Sequence, residues 1–319
     1  MLRSFLIFLS KASWAQRLIT SWKFAWRAAS RFIAGTTVAE AIEAVRTLNR
    51  AGINATLDHL GESTSSVAEA NQAADEVIQL LNQINCCAVR ANVSVKLTQI
   101  GLALDEALCE QNLRQICEAA RKNQNFVRVD MEDSPYTDRT IRIFRAMRKL
   151  GFDNVGIVVQ SYLYRTEKDT RELLAERARF RLVKGAYKEP AEVAFPRKAD
   201  VDANFDSLTS IMIDGALTAG SPAVSEDGRK PPIPALGTHD PRRIEYGKKY
   251  AEKVGLPKQA LEFQMLYGIR RDLQDQCVRE GYPVRVYVPY GTHWYPYYMR
   301  RMAERPANMW FFISNFFRK

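Results

Sequence analysis

The chain has 319 residues, 46% of them hydrophobic, and a net charge of +10. This length suits one large α/β barrel or two smaller domains. Five cysteines without a C-x-x-C pair argue against a disulfide framework or a zinc site and fit a reducing cytoplasm. With only three histidines, a multi-histidine centre is disfavoured, and we predict no metal.

The N-terminal segment is basic and amphipathic. Residues 1–39 contain no Asp or Glu, and tryptophans recur at helical spacing between 14 and 26. A signal peptide is disfavoured because Ser10 and Lys11 interrupt a short apolar run, which is also too short to span a bilayer. Two interpretations stay open: a helix on an anionic membrane surface, or an arm that packs on the protein or on another subunit. We predict an arm over 1–50 and a separate domain over 51–319.

From residue 37 onward, helical and β-rich runs alternate. After a helix at 37–50, the predicted strands are 55–61, 93–97, 126–131, 155–160, 180–184, 233–239, 261–265 and 284–288. Helices are predicted between them at 63–81, 105–122, 136–150, 166–178, 201–219, 242–253 and 271–280. Eight such units predict a (βα)8 TIM-type barrel. A doubly wound sheet is the alternative, but no G-x-G-x-x-G follows the first strand.

Two segments interrupt this pattern. The polar stretch 221–232, SPAVSEDGRKPP, is predicted to be a long surface loop. The aromatic C-terminus at 308–319 requires a partner surface, either the barrel or a membrane.

After the eighth strand, helical spacing places four functional side chains on one face. Tyr297 lies three and four residues before Arg300 and Arg301, and Glu304 lies four and three residues after them. Two adjacent guanidiniums can bind one carboxylate through paired hydrogen bonds, and Glu304 can hold them in place. A solvated surface ion pair is the alternative, but the neighbouring tyrosines favour a site for a small anion.

Polar residues also gather at the ends of the predicted strands, where a barrel of this type builds its active site. They are His59, Glu62, Lys96, Asp130, Gln160, Arg181, Lys184, Thr238, His239, Gln264 and Tyr287. Their excess of positive charge suits an anionic ligand. Gly185 and Ala186 are small, which either allows a close approach of backbone to a cofactor or marks an ordinary βα turn. Because neither a nucleophile motif nor an acidic metal cluster accompanies them, we expect an organic cofactor to perform the chemistry. We also predict that no nucleic acid binds.

These segments resemble proline dehydrogenase of the monofunctional bacterial type and the corresponding domain of the bifunctional proline-utilisation proteins. The resemblance covers residues 55–308. It rests on LDHLGE at 57–62, VSVKLT at 93–98, VDME at 129–132, VQSY at 159–162, RLVKGAY at 181–187, THD at 238–240, EFQMLYG at 262–268 and the stretch 287–304.

The resemblance implies an FAD-binding barrel whose last helix lies over the mouth. It implies oxidation of L-proline to Δ1-pyrroline-5-carboxylate, with hydride transfer to flavin N5 and electrons passed to membrane quinone. The protein would then be cytoplasmic, with a peripheral contact to the inner face of the membrane as an open question.

It also implies a role for each matching residue. Arg300 and Arg301 would bind the proline carboxylate, with Lys96 as a third positive charge. The substrate ring would be walled by Tyr187, Tyr287 and Tyr297, Glu304 would orient the cations, and Glu62 would pair with Arg300 as a gate. Arg181 would lie near flavin N5, with Asp130 completing the polar network below. The remaining FAD contacts would be Val129, Gln160, Lys184, Gly185, Ala186, Thr238, His239 and Gln264.

Two alternatives remain at this point. One is a related flavin barrel that acts on hydroxyproline or another cyclic imino acid. The other is a non-catalytic binding module built on the same barrel.

Overall fold

The computed structural model describes residues 23–61 and 64–304. Within them, eight parallel strands pair in chain order and close into a barrel. The strands are β1 (Asn54–His59), β2 (Ala91–Lys96), β3 (Val127–Asp130), β4 (Val155–Gln160), β5 (Phe180–Val183), β6 (Pro234–Gly237), β7 (Glu262–Leu266) and β8 (Val284–Tyr290). The predicted barrel is confirmed, with each strand within about two residues of its predicted bounds.

Helices connect the strands and surround the barrel. They are α1 (Lys23–Ala29), α2 (Val38–Arg50), α3 (Val67–Cys86), α4 (Glu106–Lys122), α5 (Ser134–Lys149), α6 (Thr166–Ala175), α7 (Lys198–Thr218), α8 (Pro241–Val254), α9 (Arg271–Arg279) and α10 (Trp294–Glu304). The main difference from prediction is α3, which begins at 67 because Ser66 caps it and the Glu69 amide donates to that hydroxyl.

Successive side chains on each strand alternate between the core outside the barrel and the barrel interior. On β1, Ala55 and Leu57 point outward into the apolar core between sheet and helices. The residues between them, Asn54, Thr56 and Asp58, are buried and polar and point inward. Barrels of this type usually fill their interior with branched apolar side chains, so a polar interior is a distinguishing feature of this chain.

Helix α2 completes the outer ring next to β1 and β8. A capping box fixes its start: the Glu40 amide donates to the Thr37 hydroxyl, and the Glu40 carboxylate accepts from the Thr37 amide. Its apolar face, including Ala41 and Val45, joins the same core as the strands. The packing is therefore continuous across residue 50, and the arm boundary placed there remains a prediction.

Helix α10 leaves the ring and lies over the C-terminal mouth, as the resemblance implied. The chain turns at Gly291, whose φ of +124° is accessible to glycine. One side of α10 packs on α1, where Trp26 and Trp294 meet edge to face at 5.5 Å. The predictions for residues 1–22 and 305–319 lie outside the described residues. Among the described helices, none is long and apolar enough to cross a membrane.

The stretch 221–232 is a loop, as predicted, but only part of it lies at the surface: Ala223, Glu226 and Asp227 are exposed. It closes the N-terminal end of the barrel, with Gly228 and the pair Pro231 and Pro232 buried. Its polar composition suggested solvent exposure, but its backbone carbonyls accept hydrogen bonds from barrel side chains instead.

Candidate active site

A cavity of about 630 Å³ opens at the C-terminal ends of the strands, beside α10. Its volume lies within the range of roughly 300–1,000 Å³ common for ligand pockets. The sequence-predicted residues that line it are Lys96, Asp130, Gln160, Arg181, Lys184, Gly185, Ala186, Tyr187, Thr238, His239, Gln264, Tyr287, Tyr297, Arg300 and Arg301. These sequence-predicted residues, separated by up to 205 positions along the chain (96 to 301), therefore line one cavity.

Three predicted residues stand apart from this set. Val129 lies between Arg128 and Asp130 on β3, so its side chain points outward into the apolar core. The prediction that Val129 contacts the cofactor is therefore wrong as far as its side chain is concerned. The roles predicted for Glu62 and for the Glu304 side chain fall outside the described residues.

Lys96 lies at the barrel mouth between two carboxylates. Its Nζ donates to both oxygens of Asp58 at 3.2 Å and lies 3.8 Å from Asp130 Oδ2. Tyr287 joins the cluster by donating from Oη to Asp130 Oδ2 at 2.7 Å. The charge of the Lys96 ammonium is therefore already shared before any substrate carboxylate arrives.

Arg181 pairs with the other side of Asp130. Its Nη2 donates to Asp130 Oδ1, and its Nη1 donates to Gln264 Oε1 at 3.2 Å. The guanidinium carbon also lies 5.4 Å from the centre of the Tyr287 ring, within cation–π range. Charged hydrogen bonds and ring contact together fix the guanidinium in one position.

Burial raises the pKa of both carboxyl groups, Asp58 and Asp130, and the neighbouring cations lower it. Burial raises the pKa of Asp58, an effect that Asp130 reinforces and Lys96 opposes. Burial alone would also raise the pKa of Asp130, but Arg181 and Lys96 hold it below its usual value. Burial and the nearby carboxylates raise the pKa of the Tyr287 hydroxyl well above normal, so it acts as a hydrogen-bond donor.

The side of α10 that does not pack on α1 covers the cavity. Tyr297 is buried, and the Arg301 guanidinium carbon lies 5.2 Å from the centre of its ring. Arg300 and Arg301 are half-buried and line the cavity with Tyr297. The helical spacing anticipated in the sequence thus brings both arginines and the tyrosine to the same side.

Comparison with known proteins gives this cavity a context. The family model described as proline dehydrogenase matches residues 41–313. The chain belongs to the proline dehydrogenase family. It is 43% identical to a proline dehydrogenase of Deinococcus radiodurans, over 91% of this chain and 90% of that one. It is 38% identical to proline dehydrogenase 2 of Bacillus subtilis strain 168, over 99% of both chains.

A solved structure agrees with the fold. Proline utilization A of Bdellovibrio bacteriovorus superposes with a TM-score of 0.79 at 27% identity, covering 88% of this chain and 33% of that one. The chain thus spans about a third of that longer protein. As a proline dehydrogenase, it is an oxidoreductase that acts on proline, and membership of the family implies a flavin cofactor.

The cavity of this proline dehydrogenase has polar atoms suited to such a cofactor. Among the described residues, the buried Gln160 Oε1 and Arg181 Nε make no hydrogen bond. One is an acceptor and the other a donor, and the isoalloxazine ring offers both kinds of partner. Leaving such atoms unpaired is costly, which indicates a polar ligand at this wall.

A glycine and an ionic cluster shape the adjoining wall. Gly185 has a φ of +107°, and a Cβ there would lie 2.6 Å from the Tyr162 ring, so the backbone runs where a side chain cannot fit. Lys184 Nζ binds Asp202 at 2.5 Å and Asp240 at 2.8 Å. His239 Nε2 accepts from the Leu266 amide at 2.8 Å, which places the hydrogen of a neutral ring on Nδ1.

Asp58 lines the cavity and binds Lys96, a role that was not predicted from the sequence. Strand alternation could have identified it, because Asp58 shares the inward parity of Asn54 and Thr56. Its neighbour His59 points outward instead, with Nδ1 2.9 Å from Glu76 Oε2 on α3. The carboxylates of Asp202 and Asp240 were also missed, and no strand pattern signals the former because it lies on α7.

Proposed function

We propose that this proline dehydrogenase oxidises L-proline to Δ1-pyrroline-5-carboxylate with FAD as its cofactor and passes the electrons to a membrane quinone. The observation that carries the proposal is the composition of one cavity. Arg300, Arg301 and Tyr297 lie on one wall, and the unpaired atoms of Gln160 and Arg181 lie on another. A small ring acid can then be held by its carboxylate beside a redox cofactor.

Arg300 and Arg301 would bind the proline carboxylate. Two planar guanidiniums on one helix turn offer paired, charge-assisted donors that match a carboxylate. Lys96 would add a third positive charge, but a weakened one, since Asp58 and Asp130 share its ammonium. We therefore assign most of the carboxylate affinity to the two arginines.

Three tyrosines would wall the substrate ring: Tyr187, Tyr287 and Tyr297. Each lines the cavity, and Tyr287 is held in place by its bond to Asp130. Flat aromatic walls bury the apolar edge of a pyrrolidine ring without offering a competing charge. Glu304 would orient the cations, and Glu62 would pair with Arg300 as a gate.

Arg181 and Asp130 would serve the chemical step. When bound, FAD would accept the hydride from the ring carbon next to the proline nitrogen, at flavin N5. Arg181 would hold a fixed positive charge there, because Asp130 and Gln264 restrain its guanidinium. The proline nitrogen must be neutral for its lone pair to assist hydride loss, and we assign the departing proton to solvent. Gln160, Lys184, Gly185, Ala186, Thr238, His239 and Gln264 would hold the cofactor.

The first experiment is anaerobic addition of L-proline to the purified protein. The proposal expects a yellow protein whose flavin absorbance bleaches on addition. A protein that stays colourless after incubation with FAD would favour the non-catalytic barrel instead.

We also propose that the protein is cytoplasmic and contacts the inner face of the membrane when it delivers electrons, and that the N-terminal arm can mediate oligomers. The support is the absence of acidic residues from 1–39. Deletion of residues 1–22 should reduce co-sedimentation with anionic vesicles, with bleaching by L-proline unchanged. Equal co-sedimentation of both forms would contradict the membrane role of the arm.

A further inference from the structure

The connection 221–232 enters the N-terminal end of the barrel and contacts its interior residues. Arg285 Nη2 on β8 donates to the Gly228 carbonyl at 2.7 Å, and Asn92 Nδ2 on β2 donates to the Arg229 carbonyl at 2.8 Å. Gly228 has a φ of +68°, and a Cβ there would overlap Asn54 Oδ1. The connection is therefore fitted closely to this end of the barrel, and we call residues 221–232 the plug.

A continuous chain of hydrogen bonds runs from the plug to the mouth. Arg285 donates to Glu262 from Nε at 2.9 Å and from Nη2 at 3.1 Å. Gln264 Nε2 donates to Glu262 Oε1 at 2.5 Å, and Gln264 Oε1 accepts from Arg181. All these side chains are buried, so water does not compete for the bonds.

Glu262 decides which way the Gln264 amide points. A carboxylate can only accept and a guanidinium can only donate, so the amide must place Nε2 toward Glu262 and Oε1 toward Arg181. The reverse orientation would set two donors against each other at Arg181 and two acceptors against each other at Glu262. Arg285 in turn fixes Glu262, and two more of its donors bind the carbonyls of Ala55 and Gly228.

We infer that Glu262, Arg285 and the plug are positioning elements that hold Arg181 in its reactive orientation through Gln264, from the opposite end of the barrel. The inference rests on the proposed function, in which Arg181 lies beside the cofactor. None of the three elements lines the cavity, so each acts through another residue. The plug is thus part of the active-site support, although its sequence is that of a surface loop.

Two variants test this chain of hydrogen bonds, one at Glu262 in its middle and one at Gly228 in the plug. Glu262→Gln keeps the side-chain size but allows either amide orientation at Gln264. Gly228→Ala forces the plug away from Asn54. The matched control is Gly220→Ala: it has a similar φ of +84°, but a Cβ there would meet nothing within 4 Å. The readouts are kcat per bound flavin, KM for L-proline and the midpoint potential of the flavin.

Both variants should lower kcat about tenfold, as loss of supporting hydrogen bonds does in other sites, with KM within about twofold of wild type. The midpoint potential should become more negative as the Arg181 charge loses its fixed position, whereas Gly220→Ala should match wild type. A fall in melting temperature alone, with kcat and potential unchanged, would overturn the inference, as would equal effects of Gly220→Ala and Gly228→Ala. If Glu262→Gln does not fold, Gly228→Ala decides. Wild-type protein that fails to bleach with proline would instead count against the proposed function.

Discussion

Lys96 donates to the two carboxylate oxygens of Asp58 at the same distance, 3.2 Å, inside the barrel mouth. The Asp58 side chain is almost wholly buried, so the pair is screened from water. Breaking a buried ion pair by removing one partner is costly because the other charge stays buried. Asp130 lies close enough to Lys96 to be affected by any change in this pair.

A double-mutant cycle should show strong coupling between these two residues. Lys96→Met should lower the free energy of unfolding by about 3 kcal/mol, because it leaves Asp58 and Asp130 buried without their shared cation. Asp58→Asn should cost less, because burial already disfavours the ionised form of Asp58 and Lys96 keeps Asp130 as a partner. The double variant should lose less than their sum by about 1–3 kcal/mol, because no uncompensated charge remains at the Asp58–Lys96 pair. Urea unfolding at pH 7 measures all four proteins. Additive losses would show that the contact carries no coupling energy.

Substitution of Arg301 should weaken proline binding while leaving the cofactor site intact. Arg301→Lys keeps the charge but loses the paired donors, which should raise KM for L-proline about 10- to 100-fold. The flavin spectrum should change little. Arg114→Lys is the matched control, because Arg114 pairs with Glu118 at 2.9 Å on the exposed face of α4. An unchanged KM in Arg301→Lys would contradict the carboxylate assignment.

The ring of Tyr297 should restrict which cyclic imino acid is oxidised. Tyr297 is buried against the cavity, where its ring would crowd a hydroxyl on the substrate ring. We expect kcat/KM for L-proline to exceed that for hydroxyproline by at least about tenfold, the scale of one badly placed polar group. Tyr297→Leu should bring the two kcat/KM values closer together, because it removes the ring that crowds the hydroxyl of hydroxyproline. Comparable turnover of both substrates by wild type would favour the related flavin barrel acting on hydroxyproline.

The sequence predicted the barrel well because each strand carries an outward apolar series, as in Val93 and Val95 of β2. It also predicted that Tyr297, Arg300 and Arg301 share one face of α10, because their spacing along the helix is enough to place them together. It could not predict the support of Arg181, since Glu262 and Arg285 resemble ordinary charged residues until the barrel closes. The contacts of the plug with the barrel could not be predicted for a similar reason: the contribution of Gly228 is a backbone carbonyl, which leaves no signature in side-chain chemistry.

Gly185 should strengthen the binding of the cofactor. Gly185→Ala adds a methyl group 2.6 Å from the Tyr162 ring at a φ of +107°, so the backbone beside the cavity must move. We expect the dissociation constant for FAD to rise about tenfold, equivalent to roughly 1.4 kcal/mol. Titration of apoprotein with FAD, followed by flavin fluorescence, measures it. Gly151→Ala is the control, with a φ of +81° and open space around its Cβ. Equal FAD affinity in Gly185→Ala and wild type would contradict the assignment.

Asp206 should make the protein relatively more stable in mild acid. Burial raises the pKa of this α7 carboxyl from 3.8 to about 6, against the effect of Arg243, whose Nε lies 2.7 Å from Oδ1. The folded state then binds the proton more tightly than the unfolded state, so this contribution to stability is complete below pH 3.8 and is lost as pH rises through 6. Asp206→Asn removes the titrating group. When the pH is lowered from about 7 to about 4.5, the free energy of unfolding of wild type should therefore rise relative to that of Asp206→Asn, as measured by urea denaturation.

Asp200 on the same helix is the control. Its hydrogen bond with Arg197 lowers its pKa below 3.8, so Asp200→Asn should show the same change in unfolding free energy between these two pH values as wild type. Parallel pH profiles for Asp206→Asn and wild type would show that Asp206 is already ionised at pH 4.5.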